Sequence, residues 1–196
     1  MLFTKTKLAL GLAMLTSFSV AQAETDHYTT WRLSVDSVSL SSDAANQQAI
    51  GDGITGLGVA LDFKRGQLVG GFGLFGGPVD DDNGFSQLVQ DQNGDISVAD
   101  SSTSAISFFA EAGGSFNYEG KAYLDVVGGF QTLSISRSIS NCSDCDSVDL
   151  DVDGGLYIKP RVKVPFGDKY LGSLSYTSYL SGDIESALII GFEGRF

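Results

Sequence analysis

Histidine is almost missing from this chain: His27 is the single imidazole in 196 residues. With no second histidine, acid–base chemistry is poorly supported, since a general base must sit within reach of a partner and a substrate. Cysteine is limited to Cys142 and Cys145, and no further Cys or His stands near them at the spacing a zinc site needs. Basic residues are few, 12 Lys and Arg against 24 Asp and Glu, for a formal net charge of −12. So acidic a surface repels nucleic acid, whose binding needs clustered cations. Beyond the first 23 residues no apolar run approaches the ~20 residues of a membrane-spanning helix. Only three prolines occur, beside 25 Gly, 13 Phe and 7 Tyr. That composition suits tightly packed β-structure with flexible connections.

The first residues read as an export leader. Lys5 and Lys7 form a positive start, Leu8 to Val20 a short apolar run, and Ala21 to Ala23 a small-residue cleavage site. The expected domain plan is a signal peptide over 1–23 and one domain over 24–196. Loss of Lys5 and Lys7 would make the remaining chain still more acidic.

The rest of the chain alternates. Eight segments carry apolar residues at every second place, each long enough for the ~9–11 residues of a tilted membrane strand. In the first, Trp31, Leu33 and Val35 oppose Arg32, Ser34 and Asp36; in the second, Leu57, Val59, Leu61 and Phe63 oppose Asp62 and Lys64. The sixth runs over 149–164, with Leu156, Ile158, Val162 and Val164 against Lys159, Arg161 and Lys163, and with Pro160 in the apolar phase. The eighth, over 185–196, sets Leu188, Ile190, Phe192 and Phe196 against Glu193 and Arg195. Links near 66, 119 and 167 are tight turns. Those at 42–53, 77–104 and 136–148 are long, polar and rich in Asp, Asn, Ser and Gly.

Two solvents on the two sides of each strand explain this alternation. In lipid every backbone N–H and C=O must pair within the protein, so a spanning sheet has to close. The expected fold is therefore all-β, an eight-stranded antiparallel up-and-down transmembrane barrel with short periplasmic turns and longer outer loops. Phe63, Tyr118, Phe166, Tyr170 and Phe196 would form the periplasmic aromatic girdle. The alternative is a secreted soluble barrel whose apolar face is its own core, as in lipocalins. It would leave a row of Gly, Ser and charges outside and give a terminal Phe no purpose.

Leader, strand count and the ending "LIIGFEGRF" resemble the small outer-membrane β-barrels of Gram-negative bacteria, the OmpA/OmpX-like eight-stranded class. The resemblance implies residence in the bacterial outer membrane, contact with its lipid and lipopolysaccharide, and insertion by the barrel assembly machinery. It also implies that Phe196, Phe192, Ile190 and Leu188 serve as the assembly signal. Gly194 departs from that pattern, which usually has an apolar or aromatic residue there. A monomer is expected. Members of the class differ widely in activity, so the resemblance implies place rather than chemistry.

Three constellations remain. Asp36, Asp62, Glu111, Asp125 and Glu193 would share the barrel interior with Arg32, Lys64, Lys159, Arg161, Lys163 and Arg195. An eight-stranded barrel has room only for its own side chains. A paired, packed charge network is therefore favoured over an ion path, although a narrow passive channel stays open as the rival. Cys142 and Cys145 form a CxxC in a loop, away from the helix N-terminus that a redox pair uses, and read as a loop disulfide in an oxidising envelope. Asp149, Asp151 and Asp153 open like a calcium loop, but the twelfth position is Pro160 rather than Glu. They read as a solvated acidic rim or as a weak site for loosely bound calcium or magnesium, stacked along one strand face. No other cofactor is expected. The functional expectation is a structural or surface-interaction role, in adhesion or envelope integrity, through acidic outer loops. A lipid-modifying enzyme is the more distant alternative.

Overall fold

The computed structural model describes residues 27–81, 85–90, 93–140 and 147–196. The expected leader, Cys142 and Cys145 lie outside the described residues. The elements are β1 (His27–Leu40), α1 (Ser42–Gln48), β2 (Gly53–Arg65), β3 (Leu68–Val79), β4 (Leu88–Gln90), β5 (Ile96–Val98), β6 (Asp100–Tyr118), β7 (Ala122–Gln131), β8 (Ser134–Ser140), β9 (Ser147–Leu150), β10 (Gly155–Phe166), β11 (Tyr170–Tyr179) and β12 (Ile184–Arg195).

Eight of these strands close on themselves. Going round, β1 pairs with β2, β2 with β3, β3 with β6, β6 with β7, β7 with β10, β10 with β11, β11 with β12, and β12 with β1, every pair antiparallel. The fold is a closed eight-stranded antiparallel barrel. Three tight links, with Gly66, Gly120 and Gly167 at positive φ, lie at one end together with His27 and Phe196; this is the turn end. The longer connections lie at the other, the loop end.

The alternation has the expected phase. Leu33, Val35, Leu57, Val59, Phe72, Leu74, Ile106, Phe108, Leu124, Val126, Leu188, Ile190 and Phe192 are exposed outward, and their polar neighbours face in. On β10 the outward apolar face runs from Leu156 to Phe166. Ten residues of strand span about 33 Å, and a tilt near 40° reduces that to about 25 Å, the height of the apolar band on outer-membrane barrels. Pro160 sits on that outward face. The β10–β11 register skips Lys159 and Pro160, as a residue without an N–H requires. Phe63, Tyr118, Phe166, Tyr170 and Phe196 all lie exposed at the turn end.

Gly194 has a local explanation. It sits opposite Trp31 across the β1–β12 seam, and a Cβ there would come within 2.4 Å of the indole. Trp31 also packs against Phe192, 5.8 Å between ring centroids, while Tyr170 stacks on the same ring at 5.3 Å. The aromatic missing from position 194 is thus supplied by the neighbouring strand, a pairing known to stabilise glycines in sheets.

The connections hold more structure than their polarity suggests. Residues 42–48 form α1, capped by Ser41, whose Oγ accepts from the Ala44 N–H at 3.3 Å. The 77–104 segment contains the β4–β5 hairpin, and β6 already begins at Asp100. Within 136–148, β8 pairs with the far half of β6 and with β9, so three strands project past the barrel rim. The sixth segment does not alternate unbroken either: 151–154 leave the strand. There the Asp183 N–H donates to the Asp153 carbonyl at 2.9 Å, and Val152 turns inward and is buried.

The seam packing gives a direct test. Gly194→Phe should lower stability by about 1–3 kcal/mol, the usual cost of overpacking, as a reduced urea midpoint of the refolded barrel. Adding Trp31→Ala should restore most of that loss. Purely additive costs for the two changes would contradict the packing.

Candidate functional site

The inward residues divide into two unlike layers. Nearest the turn end and through the middle lies the charge network expected from the alternation. Arg32, Asp62, Lys64, Glu111, Asp125, Lys159, Arg161, Lys163 and Glu193 are all buried. β10 is its spine, because its inward residues descend as Tyr157, Lys159, Arg161 and Lys163. Arg161 lies directly opposite Asp125 of β7. Its Nε and Nη2 donate to Asp125 Oδ2 at 3.1 and 3.0 Å, and its Nη1 to Glu111 Oε1 at 3.1 Å and Asp62 Oδ1 at 3.5 Å.

Glu111 is the second hub. Lys159 pairs with its Oε2, the Tyr157 hydroxyl donates to the same oxygen at 2.9 Å, and Arg32 approaches Oε1 at 3.9 Å. Tyr157 reaches it because Gly129 stands between them in register. A Cβ there would lie 2.5 Å from the tyrosine ring. Lys163 then joins Asp125 at 3.4 Å to Glu193 at 2.8 Å. At the turn-end mouth, Lys64 lies over the Tyr123 ring at 4.5 Å and Arg195 over Tyr28 at 4.4 Å. Alternation alone brings these charges inside together. It leaves the tyrosines that complete the network unassigned, although Tyr123 and Tyr157 share the inward phase.

Towards the loop end the interior becomes apolar. Val38, Leu40, Ile50, Ile54, Phe75, Val79, Leu133, Ile135, Val152 and Ile184 form one buried cluster. The charge network therefore occupies only part of the barrel's length. The change follows the outward residues. Past Val35 the outward residues are Ser37 and Ser39, both exposed, so the apolar side chains turn in and pack as in a water-soluble core.

Arg137 of β8 fastens this cap. Its Nη2 donates to the Gln48 and Ala49 carbonyls at 3.0 and 2.8 Å, closing the C-terminal end of α1, where a cation is favourable. Its Nε and Nη2 each reach Asp81 Oδ1 at 3.1 Å, and its guanidinium lies 4.1 Å over the Phe85 ring. Burial pushes the Asp81 carboxyl up, but hydrogen bonds from Thr103, Ser101 and Arg137 outweigh this and hold it below its ordinary 3.8. Sequence reasoning missed Arg137 because it falls in a segment with the composition of a loop; the alternation of Ile135, Arg137 and Ile139 with Ser was the available signal.

The other expected sites fare differently. Asp149 ends up on β9, while Asp151 and Asp153 lie in the interrupted link, so the three do not stack along one strand. All are exposed, and among the described residues no three His, Cys, Asp or Glu side chains are placed to hold a metal ion. Leu188, Ile190, Phe192 and Phe196 keep one outward face, with Glu193 buried between.

No protein-family model and no curated protein matches the chain. Solved structures do. Ail, the attachment invasion locus protein of Yersinia pestis, superposes with a TM-score of 0.52 at 12% identity, over 88% of this chain and 99% of that one. Ail in complex with the heparin analogue sucrose octasulfate gives 0.53 at 11% identity, over 87% and 97%. A major outer membrane protein from Thermus thermophilus gives 0.50 at 12%, over 85% and 99%. The chain has the fold of the small eight-stranded outer-membrane barrels.

The network should be held by its pairs. Arg161→Met removes the cation that Asp62, Glu111 and Asp125 share, leaving Asp62 to Arg32, Glu111 to Lys159 and Asp125 to Lys163, and should cost about 3–5 kcal/mol in urea unfolding of the refolded barrel. Lys121→Met removes a pair in which Lys121 is 74% exposed and should cost under about 1 kcal/mol. Equal effects of the two changes would overturn the hub.

Proposed function

We propose that this chain is an integral outer-membrane protein, a monomer whose loop end faces outward and does its work by surface contact, in adhesion or envelope integrity. The observation that carries the reading is the outward apolar belt: Leu57, Leu68 and Ile190 are 71, 71 and 60% exposed, a surface that water would not tolerate over a height of about 25 Å. The belt supports contact with membrane lipid, and insertion by the barrel assembly machinery through Phe196 and its alternate partners follows from the same reading.

The interior supports a closed barrel. A charge network locked by Arg161 and Glu111, followed by an apolar cluster and the α1 cap, supports a barrel that does not conduct ions. Catalysis is not proposed. His27 is exposed at the turn end, away from the loops.

Contact at the loop end should differ in sign from that of one neighbour, which was solved with a polyanion, a heparin analogue. Apart from Arg137, every Lys and Arg beyond the expected leader is either inside the barrel (Arg32, Lys64, Lys159, Arg161, Lys163, Arg195) or at the turns (Arg65, Lys121, Lys169). Arg137 is buried. Phosphate-rich lipopolysaccharide would then meet this acidic end through intervening Ca²⁺ or Mg²⁺, the hard cations that carboxylates favour.

Planar-bilayer recording tests the closed state. Purified protein should insert and give little or no ion conductance. A steady, large conductance would replace this reading with the narrow channel.

A further inference from the structure

Among the described residues, the β4–β5 hairpin at the loop end carries an apolar face that is left exposed. In it Leu88 pairs with Val98 and Gln90 with Ile96, the Ala99 N–H donates to the Gln87 carbonyl at 2.8 Å, and Gln90 Nε2 donates to the Gly94 carbonyl at 3.0 Å. That register puts Leu88, Ile96 and Val98 on one face, and they are 69, 75 and 57% exposed. Three large apolar side chains thus share one exposed face of the hairpin.

Lipid is not what this face meets. Ile96 and Val98 continue the outward phase of β6, but Asp100, Ser102 and Ser104, all exposed, separate them from Ile106 at the edge of the belt. Eight residues of strand from Ile106 to Val98 place the face up to roughly 27 Å beyond the belt. The surroundings are of one sign. Asp80, Asp95 and Asp100 are exposed on the same connection, Asp43, Asp52 and Glu185 on neighbouring ones, and no Lys or Arg side chain is exposed at the loop end among the described residues. A polyanion would be repelled. A positive potential on the partner would instead speed its encounter and fix its register.

We propose that the Leu88–Ile96–Val98 face is a docking surface for a cationic protein segment with apolar side chains: basic groups against the acidic rim, apolar ones against the hairpin. This deepens the surface-contact reading, resting on it for the outward direction of the loop end. The contact itself needs only the folded barrel.

The experiment uses purified full-length barrel in detergent micelles and three synthetic 12-residue probes: alternating Lys–Leu, alternating Lys–Ser and alternating Glu–Leu. Binding is followed by fluorescence anisotropy. The Lys–Leu probe should bind tightest, weaken as salt rises, and lose at least tenfold in affinity for the Leu88→Ser/Ile96→Ser/Val98→Ser variant, whose charge is unchanged. Gel mobility before and after boiling checks that the variant still forms a barrel, and a second variant, Val98→Ser alone, should lose part of the affinity. Equal binding of Lys–Leu and Lys–Ser probes, or equal binding by wild type and triple variant, would overturn the proposal. So would sedimentation showing that the face pairs two copies of this chain, with a dimer in wild type and a monomer in the variant. Bilayer insertion is read separately, so failure of the membrane reading leaves a different signature from failure of the docking face.

Discussion

A sheet whose outer face is apolar cannot leave its edges open. Each unpaired backbone N–H and C=O would sit in hydrocarbon at a cost of several kcal/mol. Here the β1–β12 and β3–β6 pairings remove the last edges, and the remaining features follow from that closure. Eight strands enclose a space only wide enough for side chains. Whatever faces inward must therefore pack together, and its charges must find partners there. The alternation that sends Leu, Val, Ile and Phe outward sends charges inward, and buried charges hold only if paired. Arg161 and Glu111 are the groups that make the enclosed set consistent, each meeting several opposite charges across the barrel.

The barrel has two arrangements in series. Along the belt it is inside-out, with charges within and apolar groups without. Beyond the belt it reverts to the soluble arrangement, with Val38, Leu40, Ile54 and Ile135 inside and serines outside. The apolar cluster, α1 and Arg137 pack together at the loop end, so the projecting β6–β8–β9 strands and the β4–β5 hairpin stand on a packed base. A rigid base with variable loops is a common way to present binding surfaces.

Much of this was legible in the residues, and what was not has identifiable causes. The eight strands, the tight turns and the inward charges all follow from period-two alternation. The loop-end core does not, because a single phase per strand fails to describe it. In β1 the apolar residues move from odd positions (Leu33, Val35) to even ones (Val38, Leu40). Between Val126 and Ile135 they move the other way. Those switches mark where the outward face changes from apolar to polar. Interruption at 151–154 is hidden because Val152 keeps the alternating pattern while the backbone leaves the ladder. Gly194, a departure by sequence, becomes intelligible only once Trp31 is placed across the seam.

The central claim is that the outward face changes solvent within a single strand. Nitroxide labels at Leu33→Cys, Val35→Cys, Ser37→Cys and Ser39→Cys, each in a Cys142→Ser/Cys145→Ser background and in lipid vesicles, test it directly by relaxation with oxygen and with a water-soluble nickel chelate. Oxygen should dominate at 33 and 35, and nickel at 37 and 39. Equal access of the nickel chelate to all four positions would contradict it.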